Sequence, residues 1–275
     1  MRKQLQNILA FLGLVLVAAC NGSEATSPPG TGKVEVRLAD APADDFESAT
    51  IFVSRVYLVG GGVGAREEVV SSTKASYDLL TLQNGVTALM ASANVRADTY
   101  AQVRLVVDSA VVVLASGRKF ADGSTRASLR VPSGSESGLK VNLSSPVAVE
   151  VSGTTTLLVD FSVDRSFILQ GSRNEPTGVT FRPLLHALDL AIAATIRGSV
   201  APVGVNGTVH AILGSDTTQT AVVNGAGNFT LRFLPPGAYT VVAVAVGFEA
   251  AVSTPVTLGA AESRNGVTLT LLPLP

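Results

Sequence analysis

The chain has 275 residues, a formal net charge of −1, 47% hydrophobic residues and no tryptophan. This length allows one large or two ordinary domains, and a near-neutral charge without a basic patch argues against nucleic acid as a partner. Only 5% of the residues are aromatic and 15% are charged. The apolar content is therefore mainly Val, Leu and Ala, and valine favours pleated strands.

The N-terminus has the pattern of a secretion signal. Arg2 and Lys3 form a short basic region, and Ile8–Ala19 is an apolar stretch of twelve residues. Such a stretch is shorter than the ~20 residues of a transmembrane helix, but it fits the central region of a signal peptide. We therefore predict that residues 1–19 are a signal peptide, whose removal leaves 18 basic and 21 acidic residues.

The end of the apolar stretch points to a lipid anchor. It reads Val17-Ala18-Ala19-Cys20, and Cys20 is the only cysteine in the sequence. This resembles a lipobox, the motif at which bacteria acylate a cysteine before cleavage. The resemblance implies attachment to a membrane through lipid on Cys20, where a triacyl group would meet the need for at least two anchoring signals. The alternative is an ordinary secretion signal with a chance cysteine at the cleavage site.

A lipoprotein of this kind belongs to the bacterial cell envelope. Asn21, not Asp, follows the cysteine, which favours the outer membrane if the cell has two. Residues 20–32 are polar and rich in Pro, Gly and Ser, a composition typical of a flexible tether. The twelve coil residues 21–32 that follow Cys20 have a root-mean-square reach of roughly 20 Å.

From residue 33 the sequence alternates between apolar and polar residues. Val34, Val36 and Leu38 alternate with charged residues, as in a half-buried strand. Similar strand candidates are residues 51–59, 103–107, 111–114, 139–143 and 157–163, with turn signals at 60–62, 121–123 and 132–134 and one short helical turn within 77–83. Many short strands with regular turns predict an all-β fold of antiparallel β-sandwiches.

One strand candidate carries acidic residues. Leu157, Val159 and Phe161 alternate with Leu158 and Asp160. The alternation predicts that the first set faces the core and that Asp160, like nearby Asp164 and Arg165, lies on a solvated face.

The pattern breaks near residues 191–195, which predicts an N-terminal domain over 33–190 and a smaller one over 194–275. In the second domain, Pro235-Pro236-Gly237 predicts a type II turn with Gly237 at positive φ. Tyr239 follows directly, and we expect it in the core, in the manner of a tyrosine corner.

The first domain resembles a bacterial lipoprotein family known as domain of unknown function 4382. The matching pieces are 38–42 (LADAP), 79–85 (LLTLQNG), 100–105 (YAQVRL) and 131–140 (VPSGSESGLK). That family has no assigned activity, so the resemblance implies architecture and compartment only.

The second domain resembles the carboxypeptidase regulatory-like domain. The pieces that carry this resemblance are 225–229 (GAGNF), 234–239 (LPPGAY) and 247–248 (GF). It implies an accessory module with a transthyretin-like sandwich, often called a carbohydrate-binding-like fold, a term that describes shape and does not establish a sugar site.

One acidic loop is a candidate metal site. Asp40, Asp44, Asp45 and Glu47 follow the first strand, and carboxylates spaced this way can hold Ca²⁺ together with backbone carbonyls and water. The same residues can instead form Asx-type turns or cap a short helix, and we favour this interpretation. Asp40, Asp44 and Asp45 thus remain weak metal candidates, and no cofactor is predicted.

The sequence contains few other candidate catalytic residues. His186 and His210 each stand alone in an apolar context, on opposite sides of the domain boundary, and we interpret both as structural. Cys20 would be consumed by acylation, and neither the G-x-S-x-G nor the H-E-x-x-H motif occurs. The sequence therefore predicts a protein without catalytic activity.

The remaining expectation is a binding or structural module at the cell envelope, recognising polysaccharide or another surface protein. Sugar rings usually stack on exposed aromatic side chains; Tyr57, Tyr77 and Tyr100 could be exposed, but nothing in the sequence places them together, so the sugar-binding hypothesis rests on analogy of fold. The alternative is an accessory subunit or a weak metal-dependent hydrolase that uses the Asp40–Glu47 loop.

Overall fold

The computed structural model describes residues 30–40, 43–61, 65–83, 85–131 and 138–275. The predicted signal peptide, Cys20, nearly all of the predicted tether and the predicted turn at 132–134 lie outside these residues. Within the described ranges, no helix has the length and apolar character needed to cross a membrane.

The described residues of the first part of the chain form twelve strands. They are β1 (Thr31–Asp40), β2 (Phe46–Gly60), β3 (Glu67–Ser71), β4 (Ala75–Asp78), β5 (Ala88–Arg96), β6 (Thr99–Leu114), β7 (Arg126–Arg130), β8 (Leu139–Ala148), β9 (Thr154–Phe161), β10 (Phe167–Gly171), β11 (Pro176–Phe181) and β12 (Leu185–Asp189). A single helical turn, α1 (Val163–Ser166), and a 3₁₀ turn at Leu79–Leu82 complete this part, and the 3₁₀ turn confirms the predicted helical turn within 77–83.

Ten of these strands build two layers around one core, and β10 pairs with β11 in a separate two-stranded sheet. One layer has the order β5-β1-β9-β12 and the other β3-β2-β6-β8, with β4 paired to β2 and β7 to β6. The layers are joined at one corner by the pairing of Ala187 in β12 with Leu143 in β8. Val34, Val36 and Leu38 of β1 are fully buried in the core between them, which confirms the predicted alternation.

After a 3₁₀ turn at Leu190–Ile192, the second part forms eight strands. They are β13 (Ala194–Ala201), β14 (Gly207–Leu213), β15 (Asp216–Val222), β16 (Asn228–Leu234), β17 (Gly237–Ala245), β18 (Ala251–Val252), β19 (Val256–Leu258) and β20 (Ser263–Thr270). The sheet β16-β13-β20 faces the sheet β15-β14-β17-β18, in which β19 also pairs with β17. A second core lies between these two sheets.

The all-β sandwich architecture is confirmed in both parts, although the sheets are mixed. Three strand pairs run parallel, namely β1 with β9, β8 with β12, and β13 with β20. Parallel strands require a long crossover, and here the crossovers are made by intervening strands, so single-strand alternation could not reveal them.

The turn before β17 differs from the prediction. Tyr239 is fully buried and its hydroxyl donates to the carbonyl of Pro235 at 2.7 Å, which confirms the predicted tyrosine corner. Gly237, however, does not have positive φ, so the predicted type II turn is wrong; Phe233, at φ 59°, carries the left-handed conformation instead. A Cβ at Gly237 would lie 2.8 Å from Cδ1 of Leu213, so a larger residue there would require the end of this side chain to shift.

Candidate functional site

The candidate site is the interface between the two domains, and strand β9 forms one side of it. Leu157, Val159 and Phe161 point into the first core as predicted. Asp160, on the opposite face, is only 3% exposed, and Leu158 beside it is fully buried. The prediction of a solvated face for Asp160 is therefore wrong, because the second domain covers it.

An apolar cluster seals part of this interface. Ala39, Leu158 and Leu188, from three neighbouring strands, form a small buried cluster outside the main core. Leu190, Ala193 and Phe233 pack against it from the linker and the second domain. Phe233 lies in β16 and has a left-handed backbone conformation. Close to it, the pairing of β13 with β16 shifts register between Ala194 and Ile196.

A buried carboxyl group stands next to this cluster. The amide Nε2 of Gln219 in β15 donates to Oδ2 of Asp160 at 3.1 Å across the interface, and both side chains are buried. Oδ1 of Asp160 has no hydrogen-bond partner among the described residues. Burial raises the pKa of Asp160 to about 7, helped by the negative charge of Asp164, while the hydrogen bond from Gln219 acts in the other direction.

His186 lies directly opposite Asp160 on the adjacent antiparallel strand β12. Directly opposed residues have Cβ atoms about 4.5–5.5 Å apart and share one face of the sheet. The Nε2 atom of His186 is buried and, like Oδ1 of Asp160, has no hydrogen-bond partner within the described ranges. Burial lowers the pKa of His186, as does the positive charge of Arg165, whereas Asp216 raises it.

The second histidine approaches the same cluster from the other domain. The Nδ1 atom of His210 in β14 lies 3.0 Å from Oγ1 of Thr220, and its Nε2 atom lies 3.2 Å from Oγ1 of Thr208. Burial lowers the pKa of His210, with Asp164 raising it and Arg165 lowering it. The two histidines thus come from different domains, and the positive charge of Arg165 in α1 lowers the pKa of both.

Two further contacts tie α1 and β1 to this interface. The guanidinium of Arg165 donates to the carbonyl of Thr217 at 2.9 Å. A space of about 20 Å³, enough for one water molecule, is lined by residues of both domains, including Asp40, Gly85 and Gln219. The interface thus contains a buried apolar cluster and, beside it, the buried, hydrogen-bonded carboxyl group of Asp160.

The predicted metal-binding carboxylates are held by protein groups in different ways. Oδ1 of Asp40, at the end of β1, accepts a hydrogen bond from the backbone N–H of Val163 at 3.1 Å. Asp40 therefore caps a helical turn, but a distant one and not the local one considered from sequence. Residues 41–42, within the same loop, lie outside the described residues.

Asp45 is held by two arginines. Its Oδ1 lies 2.6 Å from Arg118 and 2.9 Å from Arg173, and a second oxygen accepts from Arg173 at 3.0 Å. Although burial opposes ionisation, the hydrogen bonds from Arg173 and Arg118 outweigh it and lower the pKa of Asp45. Asp44 and Glu47 are exposed, and among the described residues no three metal-binding side chains lie together.

The tyrosines do not form a sugar-binding platform. Tyr57 and Tyr100 are buried, so the expectation that they could be exposed is wrong. The hydroxyl of Tyr100 donates to the carbonyl of Arg96 at 2.8 Å, and that of half-buried Tyr77 reaches the carbonyl of Met90 at 3.4 Å. Tyr57 and Tyr100 pack in the interior, and the hydroxyl groups of Tyr77 and Tyr100 form hydrogen bonds with the backbone of β5.

A groove of about 570 Å³ opens where the two layers of the first domain meet without pairing, between β3 and β5. Each of these edge strands carries an extra residue in its ladder, Val70 in β3 and Met90 in β5, and both side chains turn into the core. Bulges of this kind protect open strand edges from further pairing. The groove lining has no charged residue and includes four hydroxyl side chains, namely Ser71, Ser72, Thr73 and Ser92.

Fold and site together define an all-β protein of two stacked sandwich domains with a shared buried interface. The chain belongs to the family defined by domain of unknown function DUF4382, whose model matches residues 31–183. Residues 194–272 match the carboxypeptidase regulatory-like domain. No curated protein is significantly similar to the chain.

Similar solved structures share the fold only weakly. A cohesin–X-dockerin complex from Acetivibrio cellulolyticus is 17% identical over 29% of this chain and 58% of that chain, with a TM-score of 0.25. The Bacillus anthracis TIE protein is 9% identical over 88% of this chain and 51% of that one, also with a TM-score of 0.25. The minor pilin GBS52 of Streptococcus agalactiae is 8% identical over 88% and 97%, with a TM-score of 0.24. The chain thus spans little more than half the length of the first two, and similarities with TM-scores this low support no inference about function.

Proposed function

We propose that the protein is a lipid-anchored module of the bacterial cell envelope that holds its C-terminal domain away from the membrane and binds a surface partner there. The anchor is Cys20, and residues 20–32 connect it to the body. The first domain acts as the base, and the second domain is the part that is displayed.

The observation that carries this proposal is the position of the two ends of β1. The chain enters β1 at Gly30 and Thr31, next to the turn at 150–153, where Thr31 accepts a hydrogen bond from the N–H of Ser152 at 2.9 Å. Asp40, at the other end, lines the interface with the second domain. Ten strand residues at about 3.3 Å each separate these ends by about 30 Å, so the tether and the second domain lie at opposite ends of this strand.

The exposed surface of the second domain favours a protein as the partner. Val222, Val244 and Val246 line one open groove of about 550 Å³, which Asp44 of the first domain also borders, and Val246 is 99% exposed. Exposed aliphatic side chains suit contact with other apolar side chains. A polysaccharide would need exposed aromatic rings, whereas three of the four tyrosines in the chain, Tyr57, Tyr100 and Tyr239, are buried.

We also infer that the protein has no catalytic centre of its own. The hydrolase alternative needs the carboxylates of the Asp40–Glu47 loop to be available to a metal ion and a water molecule. Asp40 instead accepts the N–H of Val163, and Asp45 is engaged by two arginines. The observed contacts therefore use these side chains to hold the fold together.

Fluorescence quenching at a membrane surface tests the display geometry. Acylation leaves Cys20 without a thiol, so one introduced cysteine provides the only labelling site in the purified full-length protein. A dye on Glu150→Cys, at the base, should be quenched at least twofold more strongly by a lipid-headgroup quencher than a dye on Val246→Cys. Equal quenching, or stronger quenching at position 246, would contradict the proposed orientation. Both positions are exposed, so neither label needs to disturb a core.

A further inference from the structure

We propose that a proton on Asp160 controls the docking of the two domains: the neutral carboxyl group keeps them together, and its ionisation loosens them. The ligand of this site is the proton itself. The device is separate from the anchor and from the displayed surface, because it lies at the junction between the domains.

Three geometric observations carry the proposal. Asp160 is 3% exposed, and the groups that bury it come from both domains. Its contact across the interface is a single hydrogen bond from Gln219, a neutral donor, and no cation of the described residues forms an ion pair with it. An ionised carboxylate buried with one neutral donor is costly, whereas a neutral carboxyl group is not.

Other charged and titratable groups face the same interface, and their effects on docking must be distinguished from the effect of Asp160. These groups are His186 from β12, Asp164 and Arg165 from α1, His210 from β14, Asp216 from β15, Asp40 from β1 and Arg232 from β16. Burial lowers the pKa of both histidines, so acidification that charges them opposes docking. The pH profile of the wild-type protein alone therefore mixes opposing effects.

The sign for Asp160 follows from linkage. A separated domain exposes this carboxyl group, whose pKa is then close to the ordinary value of ~3.9, whereas docking raises the pKa to about 7. The contribution of Asp160 to docking is therefore full below about pH 4 and is lost progressively as the pH rises to about 7. Over that window, the docking equilibrium should weaken about tenfold per pH unit through this group.

Thiol reactivity at the interface measures docking directly. Ala39 is 1% exposed, belongs to the interface cluster and pairs with Asp160 in the β1–β9 ladder. In the full chain with Cys20→Ser, the Ala39→Cys variant carries a single thiol that reacts with a disulfide reagent only when the domains separate. The reaction rate then reports the fraction of undocked molecules.

The decisive comparison is between proteins with Asp160 and with Asp160→Asn, both in this single-thiol background. Asparagine keeps the size and remains neutral, while the histidines and the thiol titrate in both proteins and cancel in the ratio of rates. The rates should converge as the pH falls below about 4, and the protein with Asp160 should become faster by about tenfold per pH unit above that, up to a constant ratio above pH 7. A ratio that does not change between pH 4.5 and 8 would overturn the proposal.

Two further variants keep the test informative. Gln219→Met removes the donor with similar volume and should speed the reaction more at pH 8 than at pH 4.5, because hydrogen bonds to a charged acceptor are the stronger ones. Ala110→Cys places the thiol in the first core, where it reacts only on global unfolding. If positions 39 and 110 react at the same rate at every pH, the domains do not separate on their own and the proposal is wrong.

Discussion

Replacing Phe161 with alanine should lower the free energy of unfolding of the first domain by about 3–5 kcal/mol, the range found for removing a buried phenylalanine side chain. Phe161 is fully buried at the centre of an aromatic group. Its ring centroid lies 6.3 Å from that of Phe167 and 6.2 Å from that of Phe181, and Phe167 in turn contacts Phe46 at 6.0 Å. The substitution therefore removes buried apolar area, and it leaves a cavity that the three remaining rings cannot fill.

Chemical denaturation followed by circular dichroism measures this change. The matched control is Phe52→Ala in β2, where the ring is 38% exposed, and it should cost clearly less, about 1 kcal/mol or below. Similar losses for the two variants would show that the aromatic group is not the centre of this core.

Replacing Gly198 with alanine should destabilise the second domain by at least about 2 kcal/mol, because overpacking forces the backbone to move. Gly198 lies in the middle of β13, and a Cβ there would be 2.0 Å from the carbonyl oxygen of Val267 and 2.6 Å from the ring of Phe229. The backbone of β20 cannot retreat without giving up its pairing with β13.

The glycine of the neighbouring turn provides the control. A Cβ at Gly225 would meet no atom within 4 Å, and the φ angle of this residue is not among the positive ones. Gly225→Ala should therefore leave thermal unfolding nearly unchanged, within about 0.5 kcal/mol. A milder effect at position 198 than at position 225 would contradict the described packing of β13 against β20.

The strands could be predicted from the sequence because each one carries its own evidence. Alternation in β1 and the turn residues around Asp122 and Gly123 act within a few residues, and the structure confirms them: the N–H of Ser124 donates to Oδ1 of Asp122 at 2.8 Å, and Gly123 has positive φ. The 3₁₀ turn at Leu79–Leu82 is likewise held by a local contact, in which Oδ1 of Asp78 accepts a hydrogen bond from the N–H of Leu80.

The domain interface could not be predicted in this way. A solvated face and a face covered by another domain show the same polar alternation in a single strand, so Asp160 was assigned to solvent. One signal was present in β12, where His186, Ala187 and Leu188 follow one another without charged residues, as in a strand buried on both faces. The positive φ of Phe233 had no signal in the sequence, because phenylalanine is not a residue that favours this conformation.

The central claim is attachment through Cys20, and mass spectrometry of the N-terminal peptide tests it most directly. The protein should be recovered from the membrane fraction, with a mature chain that begins at Cys20 and carries the mass of the added acyl groups. Replacing Cys20 with serine should release the protein from that fraction or leave residues 1–19 attached. An unmodified cysteine in the mature protein, or normal membrane recovery and processing of the serine variant, would contradict the account.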